Sequence, residues 1–404
     1  MDNLRDKYCV VGVGETEYSH GSGLSTRTMA VRAIRNAMDD AGLDARDVDG
    51  VMSYHLGDST PASVVMSDLG IQPNFFMDCF GGGTSNETLV GVARGVIEMG
   101  MCHTVAIYRA MNGYSQFRMS SKDAGAAPVR GPEVRTKPYG IFMPVQPFVF
   151  TFTRHMMEYG VTSKHLANVK VSQSKHASNN PKAYMKQRVT VQDVLNSRWI
   201  IRPSTHLLDS CLETDNATCI IVTSSDRARD LKQRPIYIMS AQGRGAKAGV
   251  ESHYQHGPIT RVAGHYIAPR VFGMAGITPE DVDLTGCYDA FTYTVLLQLE
   301  SYGFCQVGEG KDYVSSDIIQ LGGKRPNNTS GGQLCEGYTH GMNLLIENVR
   351  QLRGSVDDYC EGWREGRHSY DYSEGMCRQV QDAEISMDMG WGGPGVGSAI
   401  ILRR

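Results

Sequence analysis

Two tyrosines in the second half of the chain stand in short segments whose residue types could do chemistry. Tyr288 opens Tyr-Asp-Ala-Phe, and Tyr338 precedes His340 in Glu-Gly-Tyr-Thr-His-Gly. A phenol whose pKa is lowered by its surroundings can accept a proton, and a neutral phenol can donate a hydrogen bond to an oxyanion. His340 could tune or relay the proton. Alternatively, the tyrosines are half-buried packing residues with one satisfied hydroxyl each, and His340 only caps or packs a helix start.

Glycine turns supply a second chemical group, the free backbone amide. Gly83 ends a run of three glycines before a predicted helix, which leaves its N–H free to point at an oxyanion. Gly393 or Gly395, in Gly-Gly-Pro-Gly near residue 394, can supply another amide. Asp289 follows Tyr288 directly, and we expect it either to contact substrate or to cap and brace its own loop.

Composition excludes several classes of protein. The 404 residues include 43 acidic and 40 basic ones, and the basic residues are scattered, so nothing indicates nucleic-acid binding. No apolar run approaches the roughly 18 residues that cross a bilayer, and the start MDNLRDKY is unlike a secretory signal, which predicts a cytoplasmic protein without membrane contact. The 10 cysteines form no C-x-x-C pair, so we expect reduced thiols and no metal site.

An internal repeat predicts the elements that position these segments. Each half opens on an apolar strand, near residues 8–14 and 235–239, and continues into a helix that ends at Gly42 or Gly276. Each of these glycines is followed by a short helical turn and another apolar strand, 51–54 or 284–288. Strands that alternate with helices predict mixed or parallel sheets covered by helices on their faces.

The repeat predicts two halves, residues 1–230 and 231–404, each built on a βαβαβ plan. Residues 111–150 break the rhythm with many glycines and prolines, so the first half is predicted to hold a loop insertion at about 111–190. The predicted fold class is α/β, and a family resemblance implies duplicated layers in the order αβαβα.

This duplicated plan resembles the thiolase superfamily over nearly the whole chain. Residues 175–183, Lys-His-Ala-Ser-Asn-Asn-Pro-Lys-Ala, are similar to a stretch of sterol-carrier-protein-type thiolases, and residues 330–332, Ser-Gly-Gly, resemble another of the family's motifs. Thiolases use a nucleophilic cysteine, an activating histidine and a second cysteine. Alignment places Gly83, Tyr338 and Met389 at those positions, so the resemblance implies that acyl transfer through a covalent thioester is excluded.

The same substitutions resemble the thiolase-like lipid-transfer-protein aldolases of bacterial steroid side-chain degradation. Tyr288 takes the place of another thiolase histidine, and further segments are similar to that subfamily: 197–200, 302–305, 331–334, 340–343 and 349–354. The resemblance implies a retro-aldol cleavage of a β-hydroxyacyl-CoA, with a 17-hydroxy steroid giving a 17-keto steroid and propionyl-CoA, and no cofactor. Tyr288 and Tyr338 are the expected base and oxyanion donor, in an order that the sequence leaves open.

The resemblance also implies partners. Members of the superfamily form tight homodimers through their central sheets, and the aldolases pair with a small acyl-CoA-associated subunit of OB fold, which often has a zinc ribbon, to give a heterotetramer. Three alternatives remain from the residues alone: a retro-aldolase on an aromatic or alicyclic acyl-CoA, a non-catalytic acyl-CoA-binding scaffold, and a true thiolase.

Overall fold

The computed structural model describes residues 4–116, 118, 137–141, 145–245, 258–356 and 369–404. The strands of the described residues are Tyr8–Glu15 (β1), Gly50–His55 (β2), Phe75–Phe80 (β3), Thr104–Asn112 (β4), Trp199–Ile201 (β5), Thr205–His206 (β6), Asp215–Ser224 (β7), Ile236–Gln242 (β8), Leu284–Cys287 (β9), Ile385–Gly393 (β10) and Val396–Arg403 (β11). Their helices are Thr26–Ala41 (α1), Ala62–Leu69 (α2), Ser85–Glu98 (α3), Val145–Tyr159 (α4), Ser163–Ser178 (α5), Val191–Asn196 (α6), Ser225–Ala228 (α7), Gly264–Ala275 (α8), Thr292–Ser301 (α9), Gly310–Ser315 (α10), Gly332–Cys335 (α11) and Met342–Arg353 (α12).

The main sheet has nine strands in the order β3-β2-β4-β7-β1-β8-β11-β10-β9. On the two sides of the β1–β8 pair, where Cys9 faces Tyr237 in antiparallel register, the order β1-β7-β4-β2 corresponds to β8-β11-β10-β9, and β3 has no counterpart among the described strands. Strand β2 pairs in parallel with β3 and β4, and β9 with β10, whereas the other neighbours are antiparallel. The sheet is therefore mixed, and its two sides repeat one connectivity.

The repeated sequence has the repeated local structure that was predicted. Ser25 caps α1, and Gly42 ends that helix with a φ of 72°. Gly276 ends α8 in the same left-handed conformation, with a φ of 66°. Because L-residues with a Cβ rarely adopt this conformation, glycine suits both helix ends.

The buried side chains separate into layers on the faces of the sheet. Val10 and Ile220 pack against Leu89 of α3 and Leu345 of α12 in one core cluster, which also contains Leu402 from the second half. Alternate residues of the first-half strands, such as Val11 and Ile221, pack against α1. Alternate residues of the second-half strands, such as Met389, pack against α8 and α9. Helices α3 and α12 thus form a central layer between the two halves, as the αβαβα prediction requires.

Two expectations differ from the structure. Residues 145–178, part of the expected loop insertion, form α4 and α5, with Phe152 and His155 of α4 completely buried. The glycines and prolines before residue 141 concealed a helix that begins directly after them. Cys377 is disulfide-bonded, contrary to the expectation of reduced thiols, whereas eight other cysteines are free. No helix of the described residues is both long and apolar enough to cross a membrane.

Candidate active site

Gly83 lies between the end of β3 and the start of α3 and is tied to the second half of the molecule. Trp391 of β10 donates its backbone N–H to the Gly83 carbonyl at 2.8 Å. Among the described residues, the Gly83 amide donates to no backbone or side-chain acceptor. The predicted free N–H is therefore present, two residues before the first residue of the helix, Ser85.

Tyr288 follows β9 and fills the space beside Gly83. Its N–H donates to the Met389 carbonyl at 2.9 Å, which fixes the tyrosine at the end of the strand. A β-carbon on Gly83 would lie 2.3 Å from a carbon of the Tyr288 ring. The phenol ring of Tyr288 therefore occupies the space that a side chain at position 83 would need.

Tyr338 meets Tyr288 from the opposite side of the site. Its amide donates to Thr214 Oγ1 at 2.9 Å, and its carbonyl accepts from Asn216 Nδ2 at 3.0 Å. The two phenol oxygens are 2.6 Å apart, and the side chains are 5% and 2% exposed for Tyr288 and Tyr338. A short, buried contact between two hydroxyls can pass a proton from one to the other.

Burial sets the protonation state of the two phenols. Removal from water raises the pKa of Tyr288 and of Tyr338 far above the ordinary value for tyrosine. Both side chains are thus neutral near pH 7. This corrects the expectation of a phenol whose pKa is lowered by its surroundings, because no cation contacts either hydroxyl among the described residues.

His340 lies beside Tyr338, with ring centroids 4.9 Å apart. Its backbone has a φ of 54°, an uncommon conformation for a residue with a side chain, although histidine adopts it more readily than most. Arg109 Nε donates to its Nδ1 at 3.2 Å. Burial and the nearby guanidinium lower the pKa of His340 to about 3. A neutral imidazole whose basic nitrogen is occupied is a poor proton relay, so the relay role expected from the sequence lacks support.

Asp289 braces the loop that precedes Tyr338. Its carboxylate accepts from the amides of Gln333 at 3.0 Å and Leu334 at 3.3 Å, at the start of α11. Burial raises the pKa of this carboxyl to about 6, although the amides oppose the shift. These contacts correspond to the bracing alternative, and a direct substrate contact stays a prediction.

Gly393 and Gly395 lie at the turn between β10 and β11. Gly393 has a φ of 146° and lies next to a ring carbon of Phe148. Trp391, two residues earlier, connects this strand to Gly83, so the turn and the glycine-rich loop belong to one region. Oxyanion roles for the Gly393 and Gly395 amides stay predictions.

Four charged residues around the site were not predicted from the sequence. Arg109 and Asp58 form a buried ion pair at 2.5 Å behind His340. Glu87 and Asp388 form a buried, hydrogen-bonded carboxyl pair below Gly83, and burial raises the pKa of both, that of Glu87 to about 7. A signal for Arg109 was available, since an arginine in the otherwise apolar strand Thr104–Asn112 must have a buried partner.

An open pocket of about 790 Å³ reaches the loop that contains Tyr338 through one of its lining residues. Tyr18 lines the pocket, and its ring packs on Gly337. Three cations line its wall: Lys182 and Arg350 are paired with Glu15, and Lys186 donates to the Pro181 carbonyl at 2.8 Å. Neither Tyr288 nor Tyr338 lines this pocket, so we place the chemistry at the buried phenol pair and not at the larger opening.

Comparison with known proteins identifies the family. The family described as "Thiolase C-terminal domain-like" matches residues 245–366. The "Steroid side-chain-cleaving aldolase" of Thermomonospora curvata is 37% identical, over 88% of this chain and 92% of the relative. The "17-hydroxy-3-oxo-4-pregnene-20-carboxyl-CoA lyase" of Mycobacterium tuberculosis is 38% identical, over 87% of this chain and 93% of that protein.

A solved structure of the Ltp2-ChsH2(DUF35) aldolase superimposes with a TM-score of 0.86 and 34% sequence identity, covering 100% of this chain and 99% of that one. The named relatives are lyases and aldolases, which is consistent with a site that has paired phenols and a glycine at the nucleophile position. The chain belongs to the thiolase-like family, within its branch of steroid side-chain-cleaving aldolases, and it is a carbon–carbon lyase and not a thiolase.

Proposed function

We propose that the chain cleaves a 17-hydroxy steroid with a three-carbon CoA side chain into a 17-keto steroid and propionyl-CoA. The observation that carries the proposal is the pair of neutral phenols 2.6 Å apart beside Gly83. One relative named for a 17-hydroxy steroid CoA substrate supports the ring system.

The paired phenols account for the proton balance of a retro-aldol reaction. In one concerted relay, the first phenol takes the proton of the tertiary hydroxyl and gives its own proton to the second phenol, which gives up its own proton at the same time. The bond between the α- and β-carbons breaks, its electrons form the enolate of the thioester, and the second phenol protonates the α-carbon. No free phenolate accumulates, which is consistent with the raised pKa of Tyr288 and Tyr338.

The enolate oxygen requires hydrogen-bond donors while the bond breaks. The unpaired amide of Gly83 and the His340 imidazole are two donors in this region. The reaction balances without an oxidant, reductant or metal ion, so we propose that it uses no cofactor.

A substrate panel tests the proposed function. Purified protein is given β-hydroxyacyl-CoA thioesters with steroid, alicyclic and aromatic rings, and ketone and acyl-CoA products are measured by chromatography and mass spectrometry. We expect turnover of the 17-hydroxy steroid thioester with release of propionyl-CoA. Turnover of only the alicyclic or aromatic thioesters would replace the substrate, and tight binding without turnover of any would favour a non-catalytic subunit.

We further propose a homodimer that forms through strand β3. This strand is at the edge of the nine-stranded sheet, and β2 is its only partner in the described part of the chain. Phe76 and Phe80 project from one side of it and are 50% and 71% exposed. An exposed edge strand with apolar side chains pairs readily with a second copy of itself.

A second proposed partner is the small acyl-CoA-associated subunit of OB fold, which would give a heterotetramer. The structural neighbour named Ltp2-ChsH2(DUF35) aldolase, a pair of proteins, supports it. Co-expression with such a subunit should yield a complex that stays together in size-exclusion chromatography. The cytoplasmic location expected from the sequence stays a prediction.

A further inference from the structure

We propose that Arg109 and Asp58 are positioning residues that hold His340 as a neutral imidazole with its proton on Nε2, so that His340 donates a hydrogen bond to the enolate oxygen and transfers no proton. The inference rests on the proposed function for its catalytic meaning. The tautomer of His340 itself is set by contacts within the protein and does not depend on any substrate.

All three nitrogens of the Arg109 guanidinium donate hydrogen bonds inside the protein. Its Nε donates to His340 Nδ1 at 3.2 Å, its Nη1 to the Ala110 carbonyl at 2.6 Å, and its Nη2 to Asp58 Oδ2 at 2.5 Å. The Arg109 side chain has no exposure and that of Asp58 has 1%. A buried arginine with three directed contacts cannot rotate away from the histidine without leaving a carboxylate unpaired.

This contact decides the tautomer. Arginine has only donors and stays protonated, so the atom that it contacts must accept. His340 Nδ1 is therefore the unprotonated nitrogen, and in a neutral ring the proton is on Nε2. Protonation of His340 would place an N–H against an N–H and a second cation beside Arg109, which agrees with the lowered pKa of the imidazole.

The Nε2–H edge faces the glycine-rich loop. A β-carbon on Gly82 would lie 3.2 Å from His340 Nε2 and 2.9 Å from Cδ2. Gly82 thus permits the close approach of the ring, and the adjacent residue Gly83 has the unpaired amide. Two donors, one from a side chain and one from the backbone, come from neighbouring positions beside the phenol pair.

Among the described residues, the titratable groups that face His340 besides Arg109 and Asp58 are neutral phenols. Tyr54 of β2 donates its hydroxyl to the Thr339 carbonyl at 3.1 Å and lies under the Arg109 guanidinium. Tyr338 lies against the imidazole, and its hydroxyl contacts Tyr288. Asp58 is the one carboxylate among the described residues paired with Arg109, and it also accepts from the Leu56 amide at 2.9 Å. The ion pair therefore supplies no net charge to the site.

Nitrogen NMR of histidine-labelled protein tests the tautomer without substrate. Comparison of wild type with His340→Gln assigns the His340 resonances. We expect Nδ1 to show an unprotonated shift and Nε2 a protonated one, unchanged from pH 5.5 to 8. A proton on Nδ1, or a titration within that range, would overturn the inference while leaving the proposed function intact.

Kinetics on the steroid thioester test the donor role. Gln places an amide N–H near the Nε2 position and cannot titrate, and Ala, which has the same backbone strain, has no donor. We expect kcat to fall about a hundredfold in His340→Ala and to recover at least about tenfold in His340→Gln. Equal loss in both variants would contradict a donor role.

Arg109→Met tests the positioning role through pH. We expect kcat/KM, flat for wild type across pH 5.5–8, to gain an acid limb in this variant, because His340 beside the unpaired Asp58 becomes protonated as the pH falls. The limb should disappear in Arg109→Met/His340→Gln. A variant profile without a limb would overturn the positioning role, and if Arg109→Met does not fold, Asp58→Asn and the NMR of wild type decide.

Discussion

The ring of Tyr288 lies where a side chain on Gly83 would have to be, with 2.3 Å between the ring and the position of a β-carbon. A catalytic cysteine at position 83 and a tyrosine at position 288 therefore exclude each other in this backbone. The Trp391 carbonyl oxygen lies 2.5 Å from the same position, so a side chain there would also require the backbone of β10 to move.

Gly83→Ala should abolish activity although it removes no functional group. The methyl group must displace the Tyr288 ring, break its contact with Tyr338 and cost about 1–3 kcal/mol of stability. Gly95→Ala is the matched control, because Gly95 of α3 has open space around it and alanine in a helix stabilises by about 0.5–1 kcal/mol. Product release and thermal unfolding of both variants measure the effect, and an active Gly83→Ala would refute the exclusion.

Tyr288→Phe and Tyr338→Phe should each lower kcat by about 10²- to 10⁴-fold, the usual effect of losing a proton-transfer group. Each variant interrupts the hydroxyl pair while keeping the ring that packs in the site. Tyr302→Phe serves as the control, since the buried Tyr302 hydroxyl donates to the Ser398 carbonyl away from the pair. Turnover should be kept in the control, and near-normal rates in either site variant would remove that phenol from the mechanism.

The pH dependence of stability should reflect the protonation of the buried Glu87–Asp388 pair. Burial raises the pKa of Glu87 to about 7, so the folded state keeps a proton that the unfolded state releases above about pH 4.5. The contribution of Glu87 to the free energy of unfolding is fully present at low pH and is lost as the pH rises through 7. Between pH 5 and 8 we expect Tm to fall less in Glu87→Gln than in wild type. In the control Glu374→Gln, where the replaced residue is exposed, Tm should fall as much as in wild type. An equal fall in Glu87→Gln and wild type would contradict the shift.

Charges on the edge strand should weaken the proposed homodimer. Phe76→Lys/Phe80→Lys replaces two exposed apolar groups with cations that repel across a twofold axis. Met157→Lys is the control, because Met157 is 76% exposed on α4 and distant in sequence from β3. Light scattering should show a lower mass for the β3 variant alone, and an unchanged mass would place the interface elsewhere.

The sequence predicted the elements of the fold because local signals agreed with one another. Ser25 and Gly42 have the residue types of helix caps, and both cap α1. Helix α4 was missed although Val145, Phe148, Phe152 and His155 have helical spacing, because the glycines and prolines before it suggested a continuous loop. Short-range patterns were sufficient to predict a helix or strand wherever glycines and prolines did not obscure the pattern.

The structure brings four of the predicted site residues together, whereas their roles stay predictions and their electrostatics were not predicted. Tyr288, Tyr338, His340 and Gly83 come together in the structure. The pKa of a phenol depends on burial and on neighbours from distant elements, which one sequence does not provide. Arg109 and His340 are 231 residues apart in the chain, so their contact could not be inferred from spacing.

Product analysis of a single turnover, followed by intact-mass measurement of the protein, tests the central claim most directly. The 17-hydroxy steroid thioester is mixed with excess enzyme and quenched at intervals. We predict ketone and propionyl-CoA in equal amounts, an unmodified protein mass at every time, and neither product with Tyr288→Phe/Tyr338→Phe. An acyl adduct on the wild-type chain, or product formation by the double variant, would contradict a phenol-pair aldolase.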